Sequence, residues 1–170
     1  MNTIHGLSPT NIWAAGDEGV VMRYDGGSWS YVNLNTTTDF SGLHFTAAND
    51  GWLTGYNATI RRFNGTTFVN QPPAPGSIYA LFGLGPGDVW AVGETGLTYH
   101  FDGGSWARQD AGTAEDLNAV WGSAGNDVWA VGSNGVVRHW TGASWAPVNS
   151  TVTTALTGVW GPSAAFMFAV

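Results

Sequence analysis

The 170-residue sequence predicts an all-β protein built from repeated four-stranded antiparallel units, on the basis of three observations. An aromatic position recurs at intervals of 38 or 39 residues, at Trp13, Trp52, Trp90, Trp129 and Phe168. Apolar runs of strand length are separated by turn dipeptides such as Asn134-Gly135, in which both residues tolerate positive φ. The composition, with 25 Gly, 10 Trp and only 10% charged residues, is typical of an aromatic-packed β fold.

Residues 117–148 show the repeated unit most clearly. Its first strand alternates, which places Leu117, Ala119 and Trp121 on one side of the pleat. The residues from Ser123 to Asn126 then form a polar turn. Short strands joined by turns this tight pair as antiparallel neighbours. The four predicted strands are 117–122, 127–132, 135–140 and 144–148.

When the repeats are aligned, further columns of equivalent positions carry similar residues at the same period. These columns identify the unit as a β-propeller blade. A period near 39 with four antiparallel strands is typical of such blades. The Gly-His and Trp-Asp signatures of WD40 repeats are absent, and kelch repeats are longer, at about 50 residues. The repeated columns are the fourth-strand aromatics Trp29, Phe68, Trp106 and Trp145, and the second-strand glycines Gly16, Gly55, Gly93 and Gly132.

The sequence therefore predicts one partial propeller domain over residues 1–170. The predicted blades are 1–39, 40–77, 78–116, 117–155 and the incomplete 156–170. Three prolines at 70–77 exclude a central strand and indicate a connection between blades. The apolar run 164–170 would form an unpaired edge, which predicts either a longer propeller or closure by self-association.

Charge and cysteine content exclude several classes of function. The net charge is −7 and lysine is absent, so the chain lacks the basic surface that nucleic acids and anionic membranes require. No apolar run reaches the roughly 20 residues of a spanning helix, and no signal peptide is present in this chain. Without cysteine there is no disulfide framework and no thiolate metal site.

Most polar residues that could support catalysis occupy repeat positions, which predicts structural roles. His5 and His44 share a column with Trp121, and His100 and His139 share a column with Arg23 and Arg62. We therefore predict no catalytic residue, no metal and no cofactor. Six Asp and Asn residues at repeat positions are predicted to cap backbone N–H groups as Asx turns. Those just before the second strands are Asn11, Asp50, Asp88 and Asp127, and those in later turns are Asp25 and Asp102. Asp110, Glu115 and Asp116 are predicted to be a non-repeated, solvated linker, with a cation or partner patch as the alternative.

Two columns of aromatic residues are the candidate ligand-binding positions. Those on the fourth strand either pack between blades or stack on sugars, one site per blade. The innermost strand carries a variable aromatic column that also includes His5, His44 and Phe82. The candidates are Trp29, Phe68, Trp106 and Trp145 on the outer strands, with Trp121 and Trp160 on the inner strands.

The segments FSGLHF at 40–45 and NDGWLTG at 49–55 resemble bacterial propeller repeats of the photosystem II assembly factor and BNR (sialidase-repeat) superfamily. The resemblance covers nearly the whole chain and implies a propeller of about seven blades. The turns depart from the Asp-box of that superfamily, because Asp25 precedes Trp29 by four residues where the motif has five. Repeats of this kind are frequent in secreted proteins, which implies a secreted or cell-envelope location in a bacterium.

The primary functional hypothesis is a non-enzymatic propeller module of an exported bacterial protein that scaffolds protein–protein contacts. The alternative is a carbohydrate-binding propeller with several weak sites. A sialidase-like glycoside hydrolase fragment is the remote alternative, because it would require an arginine cluster and two non-repeated carboxylates. Expected partners are thus a protein or a glycan, with self-association through the incomplete fifth blade as a further possibility.

Overall fold

The structure is a computed structural model that describes residues 1–72 and 75–170. The predicted connection at 70–77 includes Pro73 and Ala74, which lie outside the described residues. The first sheet contains β1 (Thr3–Ser8), β2 (Asn11–Ala15), β3 (Val21–Tyr24) and β4 (Trp29–Tyr31), and the second sheet contains β5 (Phe40–Ala47), β6 (Asp50–Gly55), β7 (Thr59–Phe63) and β8 (Phe68–Asn70). The third sheet contains β9 (Ile78–Gly85), β10 (Asp88–Gly93), β11 (Leu97–Phe101) and β12 (Trp106–Asp110). The fourth contains β13 (Leu117–Ala124), β14 (Asp127–Gly132), β15 (Val137–Trp140) and β16 (Trp145–Val148), and the fifth contains β17 (Val159–Ser163) and β18 (Phe166–Ala169).

Each of the first four sheets follows chain order, so every one is a four-stranded meander. In the fourth sheet Trp121 pairs with Trp129, and Trp129 pairs with His139 on the next strand. The fifth sheet pairs Trp160 with Phe168 in the corresponding register. The chain divides into two compact units, Met1–Ile78 and Tyr79–Val170, each with its own apolar clusters.

One detail of the predicted first strand of the fourth sheet is wrong. Leu117, Ala119 and Trp121 do not form a single face, because the register shifts between Leu117 and Ala119. Leu117 packs in a cluster with Trp90 of the third sheet, whereas Ala119 packs against a different cluster that contains Val131 and Leu156. A β-bulge inserts an extra residue and reverses the alternation, and periodicity alone does not reveal it.

The turns between the second and third strands have the predicted positive φ. Asn134 (φ 54°) and Gly135 (φ 70°) are both left-handed, and the Val136 N–H donates to the Ser133 carbonyl oxygen (3.0 Å). This geometry is a type I′ turn, which matches the right-handed twist of the strands that it joins. In the second sheet Ala58 (φ 62°) occupies the position that glycine holds in the other turns.

The glycine that ends the second strand of the second and fourth sheets is required for space. Gly132 has φ −171°, an extended conformation open to any residue. A Cβ atom there would overlap the Asp116 carbonyl oxygen, because the chain entering the fourth sheet crosses this point. Gly55 has the same relation to the Asp39 carbonyl oxygen. The column is therefore explained by close backbone approach.

We expect Gly132→Ala to lower the free energy of unfolding by about 3 kcal/mol, because the new methyl group meets backbone that cannot move without breaking strand pairing. Gly85→Ala is the matched control, since a Cβ at Gly85 has no atom within 4 Å. Urea unfolding of both variants checks the prediction. Equal midpoints for the two variants would contradict the steric explanation.

We expect Ala58→Gly to raise the free energy of unfolding by about 1 kcal/mol, because a left-handed residue with a Cβ is strained by roughly that amount. The control is Ala143→Gly, in an exposed turn where alanine is not left-handed. There the added backbone entropy of glycine should be destabilising. Thermal unfolding would show opposite shifts for the two variants, and shifts of the same sign would argue against strain at Ala58.

Candidate functional site

An apolar groove of about 520 Å³ lies on the outer face of the first sheet. Its floor is formed by Ile4, Ala14 and Met22, which are cross-strand neighbours on β1, β2 and β3. Trp29 and the N-terminal residues 1–3 form the walls. Ala14 is the smallest of the three floor residues and lies on the middle strand, so the face is concave. We refer to this surface as the first-sheet groove.

The candidate ligand-binding residues differ widely in exposure. Trp29 is 45% exposed and belongs to the first-sheet groove, and Trp160 on the fifth sheet is 60% exposed. Trp106 is half-buried, whereas Phe68, Trp145 and Trp121 are buried. Residues of one repeat column are therefore not equivalent as ligand sites. Trp29 combines an accessible ring with a cavity.

The buried members of the outer column pack against the neighbouring sheet. In the first unit, Trp13 contacts Phe45, Phe63 and Phe68 with ring centroids 5.0, 5.2 and 5.8 Å apart. In the second unit, Trp90 contacts Trp140 and Trp145 at 5.0 and 5.5 Å. The Trp13–Phe45 pair is stacked and the other four pairs are tilted or edge-on, and such arrangements are favoured for aromatic pairs. Sheet-to-sheet packing within each unit thus depends on one tryptophan entering an aromatic pocket.

A polar network fixes each second-strand tryptophan. Asp88 and Trp90 lie two residues apart on β10 and share one face of the strand, so the Trp90 indole N–H reaches Asp88 Oδ1 (3.1 Å). His100 lies opposite Trp90 on β11, where its ring stacks on the indole at 4.2 Å and its Nε2–H donates to Asp88 Oδ1 (2.8 Å). The tryptophan, the carboxylate and the histidine hold one another in place.

The network recurs with substitutions in the other full sheets. The Trp129 indole N–H and His139 Nε2–H donate to Asp127, whose second oxygen accepts from Ser123. In the two other sheets arginine replaces histidine, and Arg23 and Arg62 lie over the rings of Trp13 and Trp52 at 5.3 and 5.0 Å. The partners at the start of the second strands there are Asn11, which accepts from Trp13, and Asp50, which accepts from Arg62 (2.6 Å).

These contacts correct the predicted role of Asn11, Asp50, Asp88 and Asp127. Their side chains accept from indole, imidazole, guanidinium and hydroxyl groups and do not cap backbone N–H groups as Asx turns. A pattern in the sequence could have revealed this role: an Asp or Asn two residues before each tryptophan accompanies a basic residue ten residues after it. By contrast, Asp25 and Asp102 do form the predicted Asx turns, each accepting two backbone N–H bonds at 2.9 Å.

Two pKa shifts follow from these contacts. Burial by itself raises the pKa of the Asp127 carboxyl, but the hydrogen bonds from Ser123, Trp129 and His139 outweigh it, so that the pKa is lowered from its ordinary value. The backbone N–H groups of Ser28 and Gly27 lower the pKa of Asp25. Both carboxylates are therefore held in the ionised form that accepts these bonds.

The predicted solvated linker is instead part of the junction between successive sheets. Asp116 is not unique, because Asp39 occupies the same place two repeats earlier. Asp116 accepts from the Thr95 N–H (2.7 Å) and Asp39 accepts from the Glu18 N–H (2.8 Å), so each ties the preceding turn to the next strand. Glu115 accepts from the Asn134 side chain, and Asp110 from the Gly112 N–H. Periodicity of 77 residues was the available signal for this role.

Arginine side chains are likewise engaged in structural contacts. Arg61 donates to the Leu34 carbonyl oxygen (3.3 Å) and Arg138 to the Gly112 carbonyl oxygen (2.8 Å), in each case in the segment that follows the preceding sheet. On the inner strands, the His5 and His44 rings lie 4.4 Å apart, and His5 Nδ1 accepts from the Phe45 N–H. Burial lowers the pKa of His5, which favours the neutral ring that this bond needs.

Residues 1–72 and 75–170 contain no group of three or more potential ligand side chains that could hold a metal ion. Over the same ranges, no helix has the length and apolar character needed to cross a membrane.

Comparison with solved structures identifies the fold. YCF48 bound to D1 peptide matches with a TM-score of 0.72 and 20% identity over 94% of this chain and 56% of its own. The WD40 β-propeller domain of Doa1 matches with a TM-score of 0.83 and 9% identity, and the match covers 99% of this chain and 60% of the Doa1 chain. YCF48 from Cyanidioschyzon merolae matches with a TM-score of 0.69 and 19% identity, and the match covers 93% of this chain and 59% of the YCF48 chain.

The likeness confirms the predicted fold class, an all-β protein of four-stranded antiparallel propeller blades, with four full blades and two strands of a fifth. The chain spans somewhat more than half the length of these three propellers. No protein-family model and no curated protein sequence matches it.

We expect Asp127→Asn to be less stable than the wild type at pH 7, and the difference to shrink as the pH falls below about 4, the ordinary pKa range of aspartate. The pKa of Asp127 is depressed in the folded state, so its stabilisation is present above the unfolded pKa and is lost as pH falls through the folded value. Urea unfolding between pH 7 and pH 3 measures the difference.

Ser123→Ala is the matched variant, because it keeps the carboxylate and removes one donor to it. The change in its free energy of unfolding between pH 7 and pH 3 should lie between the changes for the wild type and for Asp127→Asn. Parallel curves for the wild type and Asp127→Asn over the whole range would contradict the assigned network.

Proposed function

We propose that the chain is a non-enzymatic β-propeller module that binds a protein partner through the first-sheet groove. The observation that carries the proposal is an apolar concavity of about 520 Å³ at the surface, formed by Ile4, Ala14, Met22 and Trp29. Exposed apolar clusters of this kind are typical of interaction sites and rare elsewhere on soluble proteins.

The chemistry of the groove favours apolar side chains presented by a protein or peptide. Met1 and Met22 are flexible and polarisable, so they can adapt to the shape of an inserted group. Trp29 adds a large aromatic surface, and tryptophan is enriched among residues that dominate binding energy at interfaces. One structural neighbour is a propeller described as bound to a peptide, which supports this class of partner by analogy of fold.

The proposal includes a location and a mode of assembly. We place the module in a secreted or cell-envelope protein of a bacterium, because its repeats resemble those that are frequent in secreted proteins. We also include self-association through the fifth sheet, whose residues Trp160, Phe166 and Phe168 are exposed.

A displayed library of random peptides provides the direct test. We expect selection on the wild-type chain to enrich peptides with aromatic and aliphatic residues, of micromolar affinity by calorimetry. Binding should fall at least tenfold in Ile4→Asp, because a carboxylate on the groove floor must be desolvated when the peptide binds.

Val69→Asp is the matched control, since Val69 is exposed to the same extent as Trp29 but lies on β8 of the second sheet. It should bind the selected peptides as the wild type does. If the selected peptides bind Ile4→Asp unchanged, or if no peptide is enriched, the groove is not a peptide-binding surface.

Carbohydrate binding is the second candidate, and the exposed rings of Trp29 and Trp160 favour it. A sugar stacking on either ring would change tryptophan fluorescence in a titration, and Trp29→Ala or Trp160→Ala would abolish the change. Trp106→Ala would retain it, because Trp106 is half-buried. An unchanged spectrum across a broad panel of glycans would remove this candidate.

A further inference from the structure

An aromatic pair recurs across the last hairpin of every full sheet. One ring ends the third strand and the other begins the fourth, and the two face each other across the turn. The centroid distances are 5.4 Å for Tyr24–Trp29, 5.2 Å for Phe63–Phe68, 5.5 Å for Phe101–Trp106 and 6.0 Å for Trp140–Trp145. The pair is thus a constant part of the repeat.

Inside each unit this pair receives a tryptophan from the preceding sheet. The Phe63–Phe68 pair holds Trp13, and the Trp140–Trp145 pair holds Trp90. Trp13 and Trp90 are buried as a result. The pair is therefore a receptor for an aromatic side chain carried on the face of another sheet.

The first sheet has the same receptor in an open state. The Tyr24–Trp29 pair has the same geometry, but Trp29 is exposed and borders the first-sheet groove. Gly6 occupies the place of Gly122 in the fourth sheet, whose aromatic pair holds Trp90, so the first sheet has the same small residue beside its pair.

The fifth sheet presents the complementary face. Phe168 pairs with Trp160 in the register that joins Trp129 to Trp121, so Phe168 occupies the position of the inserted tryptophans. Phe168 is 62% exposed. The strands β17 and β18 carry no ionisable side chain, and the side chains that line the groove carry none either.

We propose that the first-sheet groove binds the fifth sheet of a second copy of this chain, with Phe168 entering the receptor formed by Tyr24 and Trp29. The contact continues the packing seen twice within the chain, between the first and second sheets and between the third and fourth. It is heterologous, because the two partners use different faces, and it joins copies head to tail. This inference rests on the proposed protein-binding role of the groove and names its occupant.

Light scattering after gel filtration over a range of protein concentrations tests the proposal. The wild-type mass should rise above that of one chain as the concentration increases. Ile4→Asp and Phe168→Asp should each remain at the mass of one chain, since one damages the groove and the other the inserted face. Circular dichroism confirms that both variants are folded.

An equimolar mixture of the two variants gives the decisive result. Each supplies the face that the other lacks, so the mixture should form a complex of two chains although neither variant associates alone. Added salt should strengthen the wild-type association, because two chains of net charge −7 repel each other.

Three results would overturn the second copy as occupant: a wild-type chain that stays monomeric, association that survives both variants, or a mixture that does not associate. A monomeric wild-type chain that still binds selected peptides in the groove would reject this occupant and leave the proposed function standing. Association through the groove without any peptide binding would support the occupant and reject a peptide ligand.

Discussion

The insertion of one tryptophan per sheet into the aromatic pair of the next sheet is the interaction on which the packing of each unit depends. Trp13 and Trp90 are the large rings at the centres of their clusters, and each makes face or edge contacts with two or three partners. Removing such a buried ring typically costs about 3–5 kcal/mol. The chain has few charged groups and no cysteine, so burial of aromatic and aliphatic side chains is a major source of its stability.

The polar network serves this insertion by fixing the direction of the indole. A tryptophan on a strand could adopt several rotamers, but its N–H group is held by Asp88 or Asp127 and its outer face is covered by His100 or His139. Arginine performs the same covering role over Trp13 and Trp52. The column tolerates this exchange because both side chains are flat, can be cationic, and can stack on an indole.

Much of the fold could be predicted from one sequence, because each structurally required residue type recurs at the same position in several repeats. The second strand at Asp127–Gly132 and the left-handed residues Asn134 and Gly135 have the predicted positions and conformations. The bulge after Leu117 and the partners of Asp127 were not predicted. The bulge changes strand register without a marker in composition, and the network joins residues on different strands that only pairing brings together.

By itself the sequence determined the repeat, its four strands, its turns and the column of aromatic residues, since these depend on local chemistry and regular spacing. Only the tertiary structure decided which members of that column are available for binding. Phe68, Trp145 and Trp29 occupy equivalent positions, yet the first two are buried beneath a neighbouring sheet and Trp29 is open. Exposure is a property of what packs against a residue, and identical repeats acquire different surroundings when they assemble.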